Sequence, residues 1–297
     1  MAEGKKRVRA STNTQEVGDM KKLSVSFILF WVCFLQTGMI NAKSMDMDAL
    51  PEAQNGSAAI ERESTADWQA RIGLGAGMVP DYEGSNDYQV VPSLYARIHW
   101  KSGYSVELEG LTLRANLLTS KMWNFGPVFR YRMGREDVED NAVDRMRDID
   151  DSLEAGAFVK VVVDNWNARM DAVRDIADGH DGYLISIHTG YILFRDSFWR
   201  ISAGASATYA DDNYMETYFS VDENNSARSG LNAYEAEAGL KDIGVTLSAN
   251  YSVSRNWGVM GIMGYKRLLG DAEDSPIVDK EGSPDQLIGS LAITYSW

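Results

Sequence analysis

From Trp68 onward, apolar and polar residues alternate one by one. Trp68, Ala70, Ile72, Leu74, Ala76 and Met78 fall on one face, and Gln69, Arg71, Gly73, Gly75 and Gly77 on the other. Period two is the signature of an extended strand, whose side chains point to opposite sides in turn. The same rhythm returns in Trp199–Tyr209, in Ile243–Val253 and in Leu287–Trp297. In the last of these, Leu291, Ile293, Tyr295 and Trp297 form a continuous apolar edge that a soluble domain would seldom leave in water. Each segment has eleven residues, and a tilted strand needs about 9–11 to cross a bilayer.

Similar segments begin at Val90, Phe125, Leu153, Trp166, Tyr183 and Trp257, which makes ten strands. Tyr104–Leu108 and Leu111–Leu117, with Glu109-Gly110 as a turn, bring the number to twelve. Three features decide that the apolar face points outward. Trp and Tyr cluster at strand ends, among them Trp68, Trp100, Trp166, Tyr183, Trp199, Tyr251, Trp257 and Tyr295, as in the girdles of a membrane barrel. The polar face carries mid-strand charges of both signs, including Arg97, Arg130, Arg132, Lys160, Arg169 and Asp171, which a wet or ion-paired lumen tolerates. Connections alternate between short ones, such as Asp164-Asn165, and long acidic ones, as expected of periplasmic turns and external loops. The pattern predicts an all-β fold. It is a transmembrane antiparallel up-and-down β-barrel over residues 67–297, with about 12 strands, or 10 without the short pair.

The segment before the barrel reads differently. Lys21 and Lys22 precede Leu23–Leu35, an almost wholly apolar run followed by Gln36–Ala42. This is the layout of a signal peptide over 20–42, too short for a comfortable spanning helix. Residues 1–19 are then an upstream extension, with Met20 as the alternative start. Residues 43–66 have low hydrophobicity and no periodicity, which predicts an unstructured periplasmic lead-in. The single cysteine, Cys33, lies inside the signal peptide, so the exported chain has no thiol chemistry and no disulfide. The formal net charge is −14, which excludes nucleic acid as a natural partner. The acids gather at Asp81–Asp87, Glu136–Asp151, Asp211–Glu223 and Asp271–Asp285. Solvated loops explain them, and cation-bridged lipopolysaccharide at the rim is the sharper alternative.

Candidate chemistry is sparse. His180 sits between Asp178-Gly179 and Asp181-Gly182. It reads as a turn residue first and as a rim general base second. His99 and His188 fall on lumen-facing positions. No nucleophile elbow, phosphate-cradling loop or helical His-Glu pair is present. Asp211-Asp212-Asn213 supplies only part of a calcium loop. No catalytic residue, metal site or cofactor is therefore expected, and twelve strands favour a packed, ion-paired interior or a narrow channel over an open pore.

The ordered loop motifs carry a family resemblance. Pro80-Asp81-Tyr82-Glu83-Gly84-Ser85 follows the first strand, and Gly126-Pro127 leads to Gly134-Arg135 on the fifth. Leu153-Glu154-Ala155-Gly156, Gly179-His180-Asp181-Gly182, Tyr218-Phe219-Ser220-Val221 and Gly239-Leu240-Lys241-Asp242 come next in order. Leu268–Val278, which contains Gly270, Asp271, Ser275 and Pro276, closes the set. This series resembles the MipA/OmpV family of outer-membrane proteins, the MltA-interacting proteins, over roughly residues 67–297. The resemblance implies residence in the outer membrane, among its lipid and lipopolysaccharide, after insertion by the barrel-assembly machinery. It also implies a scaffold between a murein lytic transglycosylase and a murein synthase, a role that belongs to one branch of the family. No catalytic residues come with it. The motif residues Pro80, Tyr82, Glu83, Gly84, Ser85, Gly179, His180, Gly182, Gly270, Asp271, Ser275 and Pro276 are then structural or partner-binding. A narrow channel for small solutes or ions is the alternative function, and a rim hydrolase using His180 is the third.

Overall fold

The computed structural model describes residues 66–297. The expected upstream extension, signal peptide and nearly all of the lead-in lie outside the described residues. Twelve strands follow one another: β1 (Trp68–Pro80), β2 (Tyr88–Trp100), β3 (Ser105–Glu109), β4 (Thr112–Asn116), β5 (Trp123–Arg132), β6 (Ser152–Val163), β7 (Trp166–Asp175), β8 (Tyr183–Arg195), β9 (Trp199–Ala210), β10 (Gly239–Ser252), β11 (Trp257–Leu268) and β12 (Asp285–Ser296). Each pairs antiparallel with its chain neighbours, and β12 pairs with β1 to close the barrel. Closure satisfies the backbone groups that an open sheet edge would leave bare in lipid. The short pair β3–β4 is real, so twelve strands replace the alternative of ten.

The alternation read from the sequence is the inside–outside pattern of the wall. Leu74, Val90, Met263 and Leu291 are 54%, 77%, 70% and 63% exposed on the outer face, whereas Val91, Ser93 and Ala292 are buried on the inner one. At the short-turn end, aromatic rings meet in tilted or edge-on pairs across strands. Trp199 lies 4.7 Å from Tyr251, Trp257 4.9 Å from Tyr295 and Trp166 4.5 Å from Tyr191. The seam between β1 and β12 depends on Gly75, since a Cβ there would stand 1.9 Å from the carbonyl oxygen of Leu291.

Trp297 belongs to the same girdle. Its backbone N–H donates to the carbonyl of Ala70 at 3.0 Å, and its ring meets Tyr295 edge-on at 4.9 Å. Trp297→Asp is expected to cost about 1–2 kcal/mol in lost ring packing and interfacial desolvation. It should lower the yield of heat-modifiable, protease-resistant barrel in the membrane. An unchanged yield would show that this strand face does not guide assembly.

One expectation about the connections is met and one needs correction. The tight turn expected between β3 and β4 is present, at Gly110-Leu111 and so one residue later than Glu109-Gly110. The other loops are not simply solvated chain. They carry five short helices: α1 (Asn141–Asp144), α2 (Asp212–Phe219), α3 (Glu223–Ser229), α4 (Asp271–Asp274) and α5 (Pro276–Asp279). Their acids act locally, because a carboxylate at a helix start accepts the orphan backbone N–H groups. Asp140, Asp211 and Asp222 accept from the N–H groups of Val143, Tyr214 and Asn225 at 2.9, 3.1 and 2.6 Å. Gly230, in the left-handed conformation, ends α3.

Candidate functional site: the capped lumen

The loops at the long-connection end fold into a cap across the barrel mouth. Helix α2 turns Tyr214, Met215, Tyr218 and Phe219 to one side, all of them buried. They pack with Leu268, Ala272 and Val278, while Tyr82, Val138, Val143, Met146, Val221, Leu231 and Ile277 form a second cluster beside them. The cap therefore has a hydrophobic core of its own, above a polar lumen.

All twelve loop-motif residues lie in this cap or at its junction with the wall. Pro80 ends β1, and Tyr82 enters the second cluster. Gly84 needs its positive φ of 97°, and a Cβ there would come within 2.5 Å of the Val278 side chain. Gln286 ties this turn to β12 by donating to the carbonyl of Ser85 at 3.0 Å and accepting from the Gly84 N–H at 3.3 Å. Ser275 donates to the Phe219 carbonyl at 2.6 Å and caps α5, which begins at Pro276. Gly270 has φ 53°, and the next residue, Asp271, accepts from the Glu237 N–H at 2.8 Å and, through its carbonyl, from the Tyr234 hydroxyl at 3.1 Å. Gly179 and Gly182 admit the neighbouring segments closely, since a Cβ would fall 2.5 Å from Ser152 or 2.4 Å from Asp211.

His180 joins cap to wall. Its Nδ1 accepts the Gly182 N–H at 3.1 Å, so the ring proton sits on Nε2, which reaches Glu154 Oε1 at 3.1 Å. The ring is edge-on to Tyr214 at 5.0 Å, and its side chain is fully enclosed. With both nitrogens engaged, His180 has no free lone pair for a base or a metal. The reading as a structural turn residue fits this geometry and the hydrolase reading does not. Oδ1 of Asp211 likewise accepts from the backbone N–H groups of Tyr183 and Tyr214, and Oδ1 of Asp212 from that of Ala238.

Beneath the cap lies a layer of ion pairs. Glu154 accepts from Arg132 at 2.7 Å and from Arg130 at 3.1 Å. Asp171 accepts from Arg169 at 2.8 Å and, from across the lumen on β4, from Arg114 at 3.2 Å. Glu83 accepts from the Tyr214 hydroxyl at 2.8 Å and pairs with Lys241. Lys241 reaches the interior because the β9–β10 register slips between Leu240 and Asp242. Burial in the cap also moves titrations. The Arg135 guanidinium, enclosed and donating to the Tyr218 carbonyl at 3.2 Å, falls to about 10. The Tyr234 phenol rises to about 12 by burial and by the nearby Asp271 carboxylate. The Tyr82 phenol is pushed up, chiefly by burial.

Sequence reasoning placed Arg130, Arg132, Arg169 and Asp171 on the lumen face but did not join them to Glu154, Tyr214 and Lys241. The available signal was Tyr214, Met215, Tyr218 and Phe219 at helical spacing, over a stretch of only eight residues.

An apolar outer face, aromatic girdles and a polar lumen closed by a wall without edges define an outer-membrane β-barrel protein. The model of the MltA-interacting protein MipA family matches residues 72–297. The chain belongs to that family. It is 27% identical over 163 residues to the MltA-interacting protein of Escherichia coli (strain K12), covering 54% of this chain and 64% of the relative. The aligned chain thus spans less than two thirds of that relative's length. It is 26% identical over 123 residues to the E. coli K12 outer membrane protein YiaT, covering 40% of this chain and 48% of the relative. Among solved structures, an outer membrane channel from Pseudomonas putida F1 aligns at TM-score 0.42 and 12% identity over 83% of this chain and all of that one. The KdgM porin in complex with oligogalacturonate aligns at TM-score 0.40 and 10% identity over 76% of this chain and 99% of that one.

Proposed function

We propose that this chain is a non-enzymatic docking barrel, anchored in the outer membrane and serving a murein-processing assembly on its periplasmic side. The observation that carries this reading is the cap. A mouth filled by Tyr214, Phe219, Ile277 and Val278, each at most 1% exposed, suits a protein that presents a surface better than one that passes solutes. The E. coli relative's name, MltA-interacting protein, supports a murein transglycosylase as the partner class. Its partner-facing surface would be the short turns around Lys101, Asp164, Asp196 and Arg255. Crosslinking of intact envelopes followed by capture of the barrel is expected to recover a lytic transglycosylase or a murein synthase. A crosslinked preparation with neither would overturn the docking role. The channel reading requires the cap to open.

A further inference from the structure

In the upper lumen Glu154, Asp171 and Glu83 each pair with guanidinium or ammonium groups, but the periplasmic half is built differently. Arg71 on β1, Arg97 on β2 and Arg200 on β9 all stand on lumen-facing positions near the short-turn ends of their strands. Arg200 lies within electrostatic reach of both others and of Arg195. It is only 3% exposed. Arg71 donates to Ser296 at 3.0 Å, and Arg97 faces Glu107 in the β2–β3 register. Glu107 and Glu109 stand near Arg71 and Arg97 around Tyr95, and Glu109 also pairs with Arg114. The charges that act on Arg200, by contrast, are those of Arg195, Arg71 and Arg97, which leaves a local excess of positive charge. Each guanidinium has five N–H donors in a planar fork, so one that already holds a partner still has donors to offer an oxyanion.

Space lies further into the lumen, starting at Ser202, the next lumen-facing residue after Arg200. The wall from β9 to β11 has small inward residues, and a cavity of about 50 Å³ is lined there by Ser202, Gly204, Ser206, Gly244, Thr246 and Ser248. Ser202 follows Arg200 on the same face. Its hydroxyl is buried and has no hydrogen-bond partner, although buried polar atoms are almost always satisfied. A smaller cavity of about 20 Å³ lies at the periplasmic mouth, where Arg71, Asn250, Arg255, Asn256 and Ser296 meet. A cleft of one sign with low-dielectric walls concentrates counter-ions.

We infer that the periplasmic half of the lumen is a binding vestibule for a small oxyanion, of carboxylate or phosphate type, held by Arg71, Arg97 and Arg200 with Ser202 beside them. The ligand enters from the periplasm. Its blind end rests on the capped reading given above, but binding itself does not.

Titration calorimetry on the refolded full chain in zwitterionic detergent, at constant ionic strength, tests this. Citrate and inorganic phosphate are the two anionic probes and glucose is the neutral one. Saturable binding of citrate or phosphate, but not glucose, is expected, and whichever anion binds tighter names the source. Arg200→Gln and Arg71→Gln should each weaken binding about tenfold or more, as loss of a charged hydrogen bond implies. Lys280→Gln, in the cap, should leave it unchanged. Heat-modifiable migration reports that each variant is folded. The absence of saturable binding of both anions by folded wild type overturns the proposal. So does an affinity unchanged in the folded Arg200→Gln and Arg71→Gln variants.

Discussion

Glu154→Leu is expected to destabilise the folded barrel by about 3–5 kcal/mol, the usual cost of stripping one partner from a buried ion pair. Glu154 is fully buried and accepts from Arg130, Arg132 and His180 at once. Its removal leaves two buried guanidiniums without their shared carboxylate and takes from the His180 ring its partner on the wall, although the His180 backbone N–H still donates to Asp175 at 2.7 Å. Arg132 stays near the faces of Tyr214 at 5.2 Å and Tyr218 at 6.0 Å, and those contacts return only part of the loss, about 0.5–2 kcal/mol. Urea unfolding in detergent, followed by band shift on unheated gels, measures the difference. A change under about 1 kcal/mol would mean that the network specifies geometry without holding the structure together, as some buried networks do.

The second large effect concerns the cap. Wild-type barrel refolded into planar bilayers is expected to show no discrete conductance steps. Phe219→Ala combined with Ile277→Ala should produce them. Both side chains are fully buried and sit in different clusters of the cap. Truncation costs about 3–5 kcal/mol for Phe and about 2–5 kcal/mol for Ile. The loss falls on loop packing, while the hydrogen-bonded wall from β1 to β12 is untouched, so the mouth should loosen before the barrel does. Wild-type steps as large and frequent as those of the double variant would favour the channel reading over docking. A silent variant with intact heat-modifiability would show that the ion-pair layer around Glu154 and Asp171 blocks the lumen unaided.

The wall was readable because its physics is local and periodic. Each strand alternates between lipid and lumen, so residues two apart report the same environment, and the charges at Arg97, Arg130 and Asp171 could be assigned to the inside without any pairing. The irregularities escaped that logic. Nothing around Leu240-Lys241-Asp242 announces the slip that turns Lys241 toward Glu83. The cap escaped it too. The stretches Glu136–Asp151 and Asp211–Glu223 look like solvated acid in one dimension. In space their carboxylates bond to helix N–H groups, and the few apolar residues between them meet residues from other loops. Tyr82 and Ile277 are almost two hundred positions apart yet share a cluster.

The family motifs were visible in order but silent in role. Gly84, Gly179 and Gly182 are glycines because other chain segments pass where a Cβ would stand, and that reason exists only in the folded cap. His180 could be read from its flanking aspartates as a base or as a turn. The Gly182 N–H and the Glu154 carboxylate, which occupy its two nitrogens, distinguish those readings.

The sequence by itself determined the all-β membrane barrel, its twelve strands, the outward apolar face and the family. These follow from a two-residue period and from the rule that lipid tolerates no unpaired backbone. Tertiary structure alone decided that the external mouth is capped, that His180 is a buried joint, and that Arg71, Arg97 and Arg200 gather at the periplasmic end. Closing twelve tilted strands into a ring brings residues from distant parts of the chain to one height in the lumen, and no pattern along the chain records that height.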